Sequence, residues 1–499
     1  MNQEKNRLSS INKFLTDICS YMPSKIISSL ITVIMTVFFT CLFSPGDYGN
    51  YILVTTTVTM LYLLPSSALG SSAVRYYPFY EKNSMVDIFY GTFIRTLLYV
   101  ISVTAFFFWI SIKIVHISPE LYKLFHAGVF LFISEFMFRS FLQILNARRK
   151  IVSYSYFCIF NDIFRLFTGI VLAVLFGAGI SGILYGSIIV NIILMPFIYF
   201  SSIGRIRNFR LFSMPVFIEL FKYGVPLSIG NLSDFIIKLS DRYIIGLYRS
   251  SFEVGLYNAS YLIAENSIVM IYNLITKPAY PLLVHLWEQE GKEAVQEFLN
   301  KTTFYYLLIA FPASLGLSVL AKPVVEIFTG PSYHEGYKII PFVTFGAFFL
   351  GLQWWARAGL LLYKKTRMVM YGVIFGSILN IILNIILVPK YGYMAAACTT
   401  LLSYVSVFLY MTFISQKFLP WKFPFKSFVK IIFASSIMAI SVNFLSENFT
   451  DSKKINLFSS IFIGIIIYFL IIFFLKELNF KEIKSLFNKY SGKDGKIWQ

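Results

Sequence analysis

Apolar residues occur along this chain in long blocks separated by short polar segments. A helix of about 20 apolar residues spans a hydrocarbon core of about 30 Å, whereas the strands of a membrane barrel alternate over about 10 residues, and these blocks do not alternate. The pattern predicts an all-α polytopic membrane protein with about 14 transmembrane helices. The predicted spans are residues 23–43, 52–74, 88–112, 124–145, 155–176, 180–200, 224–246, 257–284, 304–328, 339–363, 368–388, 393–415, 431–446 and 457–475.

The composition supports a membrane protein. Hydrophobic residues make up 57% of the chain and charged residues 13%, and the mean hydropathy is +0.70; soluble domains carry about 25% charged residues. The net charge of +19 would suggest a nucleic-acid partner for a soluble protein. Here we expect it to mark the cytoplasmic ends of helices, with no nucleic acid bound. The four cysteines lack metal-ligand spacing, so they indicate neither a zinc site nor a disulfide framework. We expect no metal and no cofactor.

The lysines and arginines predict which side each loop occupies. With the N-terminus in the cytoplasm, the inner segments hold 27 lysines and arginines and the outer segments hold 7. A missed helix would invert this pattern, so we expect 14 spans with both termini cytoplasmic. Residues 476–499 are expected to form a basic tail near anionic lipid.

A weak internal repeat predicts two bundles. Asp47–Tyr51 follows the first span, and the similar segment Glu253–Tyr257 follows the seventh. Six spans separate the copies, and an even number gives both copies the same orientation, as in parallel repeats related by an axis along the membrane normal. The predicted units are an N-terminal six-helix lobe (1–204), a C-terminal six-helix lobe (205–420), and helices 13 and 14 with the basic tail (421–499).

Charged residues inside the predicted spans are candidates for function. Each costs about 2.5–3.5 kcal/mol at a helix centre, so it is expected to face a cavity or a partner. The cations outnumber the acids, which suits an anionic substrate. Arg75, at the inner end of the second span, is either at a cytoplasmic mouth or an ordinary positive-inside residue. The candidate substrate-binding cations are Arg75, Arg95, Arg139, Lys238, Arg242, Lys277 and Arg357.

The seventh span concentrates these charges. Asp234, Lys238, Asp241 and Arg242 lie at positions i, i+4, i+7 and i+8, which is one side of a helix. They either face a wet cavity between the bundles or form ion pairs that fix this helix to its neighbours; we favour the cavity. Candidates for binding a coupling proton or sodium ion are Asp234, Asp241 and Glu265.

Two further charged pairs and several missing motifs bear on function. Glu135 with Arg139, and Asp162 with Arg165, have the spacing of structural ion pairs but could also line a cavity. The chain contains no GxxxxGK[ST] phosphate-binding loop and no HExxH zinc motif. The predicted outer segments are at most about a dozen residues long, too short for a catalytic domain outside the membrane. We therefore expect a transporter rather than an enzyme.

Three segments carry a resemblance to a known family. They are Pro45–Tyr51, Asp241–Gly246 followed by Val254–Tyr257, and Asn380–Asn384 continuing through Pro389–Ala397. Their order and spacing resemble the Wzx-type polysaccharide biosynthesis flippases of the multidrug/oligosaccharidyl-lipid/polysaccharide exporter superfamily. The resemblance covers essentially the whole chain.

The resemblance implies a function that composition alone does not. It implies two lobes with alternating access, and a cavity role for Asp241 and Arg242. The implied substrate is an undecaprenyl-pyrophosphate-linked oligosaccharide, moved to the outer leaflet of a bacterial inner membrane for O-antigen or capsule synthesis. The implied partners are membrane lipids and the polysaccharide polymerase machinery. A cation-coupled multidrug exporter and a membrane glycan polymerase or ligase are the alternatives; the missing long outer loop argues against the polymerase.

Overall fold

The computed structural model describes residues 27–115, 117–204, 211–448 and 452–477. The predictions for the N-terminal tail, the first residues of span one and the tail beyond residue 477 lie outside these ranges. The helices are α1 (Ile27–Leu42), α2 (Pro45–Lys82), α3 (Val86–Ile114), α4 (Pro119–Ala147), α5 (Ile151–Ile170, continued by a π-helical turn, Val171–Leu175), α6 (Gly179–Ser202), α7 (Met214–Tyr248), α8 (Ser251–Gln289), α9 (Lys292–Val319), α10 (Ala321–Phe328), a 3₁₀ segment (Pro331–Ile339), α11 (Ile340–Leu362), α12 (Thr366–Tyr391), α13 (Tyr393–Ser415), α14 (Phe425–Asn448) and α15 (Lys453–Phe474).

These helices correspond one to one with the predicted spans, apart from the short α10. Within the described ranges, twelve helices are long and apolar enough to cross a membrane. The other two are α1, which is described only from Ile27, and α7, which carries charges near its centre. Helices α2 and α8 have 38 and 39 residues. At 1.5 Å per residue they are far longer than a hydrocarbon core and extend beyond it.

One predicted span is divided in two. The hydropathy pattern predicts a single helix over residues 304–328, but in the structure α9 ends at Val319 and α10 begins at Ala321. Pro323 explains the break, because its ring would collide with the carbonyl of Val319 in a continuous helix and it offers no N–H. Glu326 on α10 forms an ion pair with Lys453 of α15 at 2.7 Å.

The helices pack as two groups of six, which we call the first and second lobes, with an additional C-terminal pair. In the first lobe (α1–α6), α6 packs against both α4 and α5. In the second lobe (α7–α9 and α11–α13), α13 packs in the same way against α11 and α12. The pair α14 and α15 lies outside this repeat, and α14 packs on α9. The prediction of an all-α polytopic membrane fold is confirmed.

The two ends of the bundle differ. We call the end that holds the α1–α2 and α7–α8 connections the closed end, and the opposite end, with Arg148–Lys150 and Lys364–Arg367, the basic end. At the closed end the first turns of α2 and α8 cross in direct contact. A Cβ on Gly49 would overlap the carbonyl oxygen of Ser251, and a Cβ on Gly255 would overlap that of Pro45. The reciprocal contact relates the two repeat segments, and the missing side chains let the backbones meet.

Candidate functional site: a cationic cavity between the lobes

A cavity of about 680 Å³ lies between the two lobes. Helices α2 and α4 form one wall, and α7, α8, α11 and α13 form the other. Three of the predicted cations line it: Arg139 from α4, Lys238 from α7 and Arg357 from α11. The described residues that line it include no aspartate or glutamate, and the rest of the wall mixes hydroxyl, amide and aromatic side chains. Such a wall can bind an anion and hydrogen-bond a polar ligand.

The three cations differ in their partners. Arg139 forms an ion pair with Glu135 at 2.8 Å, and Lys238 lies 3.2 Å from Glu265. The buried Nε of Arg357 has no hydrogen-bond partner among the described residues. A guanidinium nitrogen removed from water without an acceptor is costly, so Arg357 is the cation with the clearest capacity for an added anion.

Two predicted cations lie one helical turn beyond the cavity, toward the basic end. Arg75 follows the cavity residue Ser71 by four positions on α2, and Lys277 follows Asn273 by four positions on α8. Both side chains are exposed. Residues four apart share a helix face, so these two cations extend the cationic surface toward that end of the protein.

Arg95 lies apart from the other predicted cations. It is exposed on α3, its guanidinium is 5.9 Å from the centre of the Phe212 ring, and it does not line the cavity. The structure therefore brings Arg139, Lys238 and Arg357 together, places Arg75 and Lys277 beside them, and leaves Arg95 outside the group.

The charges of α7 point in different directions. Lys238 faces the cavity, whereas the Asp241 side chain is fully buried behind the wall, against α8, α12 and α13. Asp241 accepts hydrogen bonds from Tyr257 at 2.5 Å, Asn384 at 2.7 Å and Thr400 at 2.7 Å. The predicted face is about 100° wide, which is enough for its members to contact different neighbours. The side chain of Asp234 is outside the described part of the structure.

Arg242 is also buried away from the cavity. Its guanidinium donates to the backbone oxygen of Lys238 and, through Nε, to Asn258 at 3.2 Å, and it lies 4.6 Å from the centre of the Tyr261 ring. Asn258 in turn donates to Tyr48 of the first lobe at 3.1 Å. Arg242 is thus part of a hydrogen-bonded chain that joins the lobes near the closed end.

The surroundings of Asp241 include residues that the charge pattern did not reveal. The Asn384 side-chain oxygen accepts from Thr399 at 2.5 Å, and the Asn380 oxygen accepts from Ser240 at 3.1 Å. The cluster is therefore rich in neutral oxygen atoms around one carboxylate. Its sequence signal is two asparagines four residues apart in an otherwise apolar span. Of the other ion-coupling candidates, Glu265 pairs with the cavity residue Lys238 rather than belonging to this cluster.

The first lobe has its own buried polar cluster, centred on Glu135. The pair with Arg139 has the predicted spacing, but Arg165 also lies 3.4 Å from the Glu135 carboxylate. Asp162, the predicted partner of Arg165, instead accepts a hydrogen bond from Ser28 of α1 at 2.5 Å. Glu135 thus pairs both with Arg139 on its own helix and with Arg165 on a neighbouring helix, and spacing along one helix predicts only the first of these pairs.

A second cavity is almost entirely apolar. It has a volume of about 420 Å³ and lies between α8, α9, α14 and α15, lined by side chains such as Ile268, Leu308, Met438 and Ile465. Ile268 and Val269 are neighbours on α8, and Val269 lines the cationic cavity. One helix therefore separates a cationic cavity from an apolar one.

Known proteins share this architecture. A structure of the lipid II flippase MurJ in an inward closed conformation matches with a TM-score of 0.75 and 19% identity, covering 92% of this chain and 99% of that one. An inward-facing multidrug resistance transporter of the MATE family, a member of the MOP superfamily, matches with a TM-score of 0.63 and 12% identity, covering 78% and 95%. These similarities show that the chain shares the fold of these two transporters.

Sequence comparison identifies the family. The family model described as polysaccharide biosynthesis protein matches residues 38–341, more than half of the chain, and the chain belongs to that family. An uncharacterized membrane protein, MJ1068, of Methanocaldococcus jannaschii is 23% identical over 314 residues. That match covers 62% of this chain and 59% of the relative, so the chain spans less than two thirds of that protein.

Proposed function

We propose that this protein is a flippase for a lipid-linked oligosaccharide whose headgroup carries a phosphate or pyrophosphate, with the undecaprenyl-pyrophosphate-linked precursor of a cell-surface polysaccharide as the substrate. The observation that carries the proposal is the cavity between the lobes, which Arg139, Lys238 and Arg357 line without a carboxylate among its described lining residues. Membership of the polysaccharide biosynthesis family supports the sugar component.

The two cavities suit the two parts of such a substrate. The cationic cavity would hold the phosphates, with guanidinium groups giving paired hydrogen bonds, while Tyr62, Tyr272, Asn273 and other polar side chains would contact sugars. The apolar cavity beside α14 and α15 offers the lipid chain a surface with little polar area. Rocking of one lobe against the other would then expose the headgroup at the closed end.

We further propose that the basic end faces the cytoplasm of a bacterial inner membrane, with both termini there, as the positive-inside rule favours. In this orientation the headgroup enters past Arg75 and Lys277 and leaves past the crossing of α2 and α8. Polymerase machinery that uses the flipped oligosaccharide outside would be the next partner. The product would be O-antigen, capsule or a similar polysaccharide.

A chromosomal deletion tests the proposed function. Without the protein, the lipid-linked oligosaccharide is expected to accumulate with its headgroup on the cytoplasmic side, where an impermeant glycosidase added to everted vesicles can reach it. Normal surface polysaccharide and no accumulation in the deletion strain would contradict the proposal. A plasmid copy of the wild-type gene should restore normal export.

We propose that the Asp241 cluster binds the coupling ion, a proton or sodium. A buried carboxylate surrounded by two hydroxyls and a side-chain amide suits a proton or a small hard cation. Asp241→Asn preserves the side-chain size, and we expect it to abolish the dependence of transport on the ion gradient while the protein still folds. Transport by reconstituted protein with and without sodium and proton gradients measures this.

Asp162→Asn is the matched control, since Asp162 is an embedded aspartate of the other lobe outside the cluster. It should retain the wild-type response to both gradients. The coupling proposal is wrong if Asp241→Asn retains that response at normal protein levels.

The cavity also distinguishes the proposal from cation-coupled multidrug export. Cationic drugs would be repelled by Arg139, Lys238 and Arg357, because like charges in a site of restricted water access interact unfavourably. We therefore expect no resistance to cationic dyes on overexpression. A minimal inhibitory concentration raised severalfold would favour the exporter.

A further inference from the structure

The Glu135 carboxylate is shared by two arginines that face different surroundings. Arg139 reaches it with Nε at 2.9 Å and Nη2 at 2.8 Å, and the Arg139 side chain is 41% exposed at the cavity. Arg165 approaches at 3.4 Å from α5, with a side chain 17% exposed. Glu135 itself is only 5% exposed. One partner of the carboxylate can therefore reach a ligand in the cavity, while the other is enclosed within the first lobe.

The enclosed side of Glu135 is fixed by further hydrogen bonds. Asn191 of α6 donates to the second carboxylate oxygen at 2.9 Å, and its own side-chain oxygen accepts from Asn161 at 2.8 Å. Arg165 donates through Nε to Ser187 at 3.1 Å. If Arg139 turned away, the carboxylate would still have a guanidinium and an amide donor. Departure of Arg139 thus does not leave an unpaired buried charge, which would be strongly destabilising.

The charges of this cluster do not balance. Two guanidinium groups face one carboxylate, which leaves one positive charge next to the cavity. In the second lobe, Lys238 forms an ion pair with Glu265, and the buried Nε of Arg357 has no hydrogen-bond partner among the described residues. Both lobes therefore present a cation to an arriving anion, but in the first lobe that cation, Arg139, is held by a carboxylate that also keeps a second guanidinium partner.

We propose that Glu135 is a positioning residue that holds Arg139 when the cavity lacks an anion and gives Arg139 up to the phosphate of an entering headgroup. Because Glu135 competes with the phosphate for Arg139, the headgroup binds less tightly than it would if Arg139 had no carboxylate partner. When the headgroup leaves, Arg139 pairs with Glu135 again. Glu135 thus tunes release as well as capture. This inference rests on the proposed function, because it requires an anionic ligand in the cavity.

Binding of inorganic pyrophosphate to the full-length protein in lipid nanodiscs, measured by calorimetry, tests the proposal. Glu135→Gln removes the competitor for Arg139 and should tighten binding about fivefold, the size expected for losing one partly exposed ion pair. In proteoliposomes the same variant should lower both the KM and the kcat for flipping. A purely structural role for Glu135 predicts weaker binding instead.

Two double variants control for misfolding and for effects that do not act through Arg139. Glu135→Gln with Arg165→Gln leaves no unpaired buried guanidinium, so it should fold even where the single variant does not, and should show the same gain. Glu135→Gln with Arg139→Gln should bind no better than Arg139→Gln alone, because the gain acts through Arg139. Unchanged or weaker binding in both Glu135 variants that retain Arg139, or a gain that persists without Arg139, would overturn the proposal.

The possible outcomes distinguish a failure of the proposed role of Glu135 from a failure of the proposed flippase function. If pyrophosphate binds the wild type and Arg357→Gln weakens it while Glu135→Gln has no effect, the positioning role fails and the flippase proposal survives. If pyrophosphate does not bind the wild type at millimolar concentration, both are contradicted.

Discussion

Replacing Arg357 with glutamine is expected to slow flipping of the lipid-linked oligosaccharide by about ten- to a hundredfold. The Arg357 side chain lines the cavity between the lobes, and its buried Nε lacks a partner among the described residues. A hydrogen bond between charged groups contributes about 1.5–3 kcal/mol, and each 1.4 kcal/mol is about a factor of ten. Glutamine retains a polar side chain but cannot supply the charge. Export of surface polysaccharide in a deletion strain carrying the variant measures the loss.

Arg95→Gln is the matched control for this variant. Arg95 is also an arginine in a predicted span, but it is exposed on α3 and does not line the cavity. It should retain export close to the wild-type level. Equal loss in both variants, or export by Arg357→Gln at normal protein levels, would show that the cavity does not bind the headgroup.

Replacing Gly49 with alanine is expected to separate the lobes at the closed end. The added methyl would overlap the carbonyl oxygen of Ser251, a backbone atom that cannot turn aside. Overpacking of this kind costs about 1–3 kcal/mol, which changes a two-state population about five- to 150-fold. We expect the variant to favour conformations open at the closed end. Spin labels at Phe176 and Tyr391, exposed at the closed end on opposite lobes, would report a longer distance.

Gly46→Ala is the control for this second prediction. Gly46 lies one turn away in α2, and a Cβ there would meet only the Ser44 hydroxyl at 3.8 Å. Its label distances should equal those of the wild type, in a background where the four native cysteines are replaced by serine. The crossing of α2 and α8 does not close the transport path if Gly49→Ala also leaves the distances unchanged.

The sequence predicted most of the fold because a membrane restricts the choices. Apolar block length identifies helices, and the alternation of basic loops identifies their order. The hydropathy pattern does not predict the division of the ninth span at Pro323. A single proline hardly changes the mean hydropathy of a block of about 20 residues. The sequence similarity between Asp47–Tyr51 and Glu253–Tyr257 is weak. In the structure, Gly49 and Gly255 of these two segments both allow the close backbone contact between α2 and α8.

The candidate site was less predictable because it depends on which way each side chain turns. The spacing of Lys238, Asp241 and Arg242 predicts that they share one face of α7. In the structure Lys238 lines the cavity, whereas Asp241 accepts hydrogen bonds from α12 and α13. Arg242 donates to Asn258, which in turn donates to Tyr48. Neutral partners such as Asn384 carry no charge signal.

Cations without a partner on their own helix were ambiguous for the same reason. Arg357 and Arg95 are equivalent in sequence terms, but only the helix packing separates a cavity residue from an exposed one. Charge content predicts an anionic ligand, and the helix packing shows which of the candidate cations line the cavity between the lobes.

Flipping by the purified protein tests the central claim most directly. Proteoliposomes would contain a fluorescent lipid-linked oligosaccharide with a pyrophosphate linkage, and an impermeant quencher would report headgroup movement between leaflets. The account predicts that wild-type protein accelerates movement well above that in protein-free vesicles and that a variant with Arg139, Lys238 and Arg357 all changed to glutamine does not. Equal rates for wild-type and protein-free vesicles, or full activity in the triple variant, would contradict it.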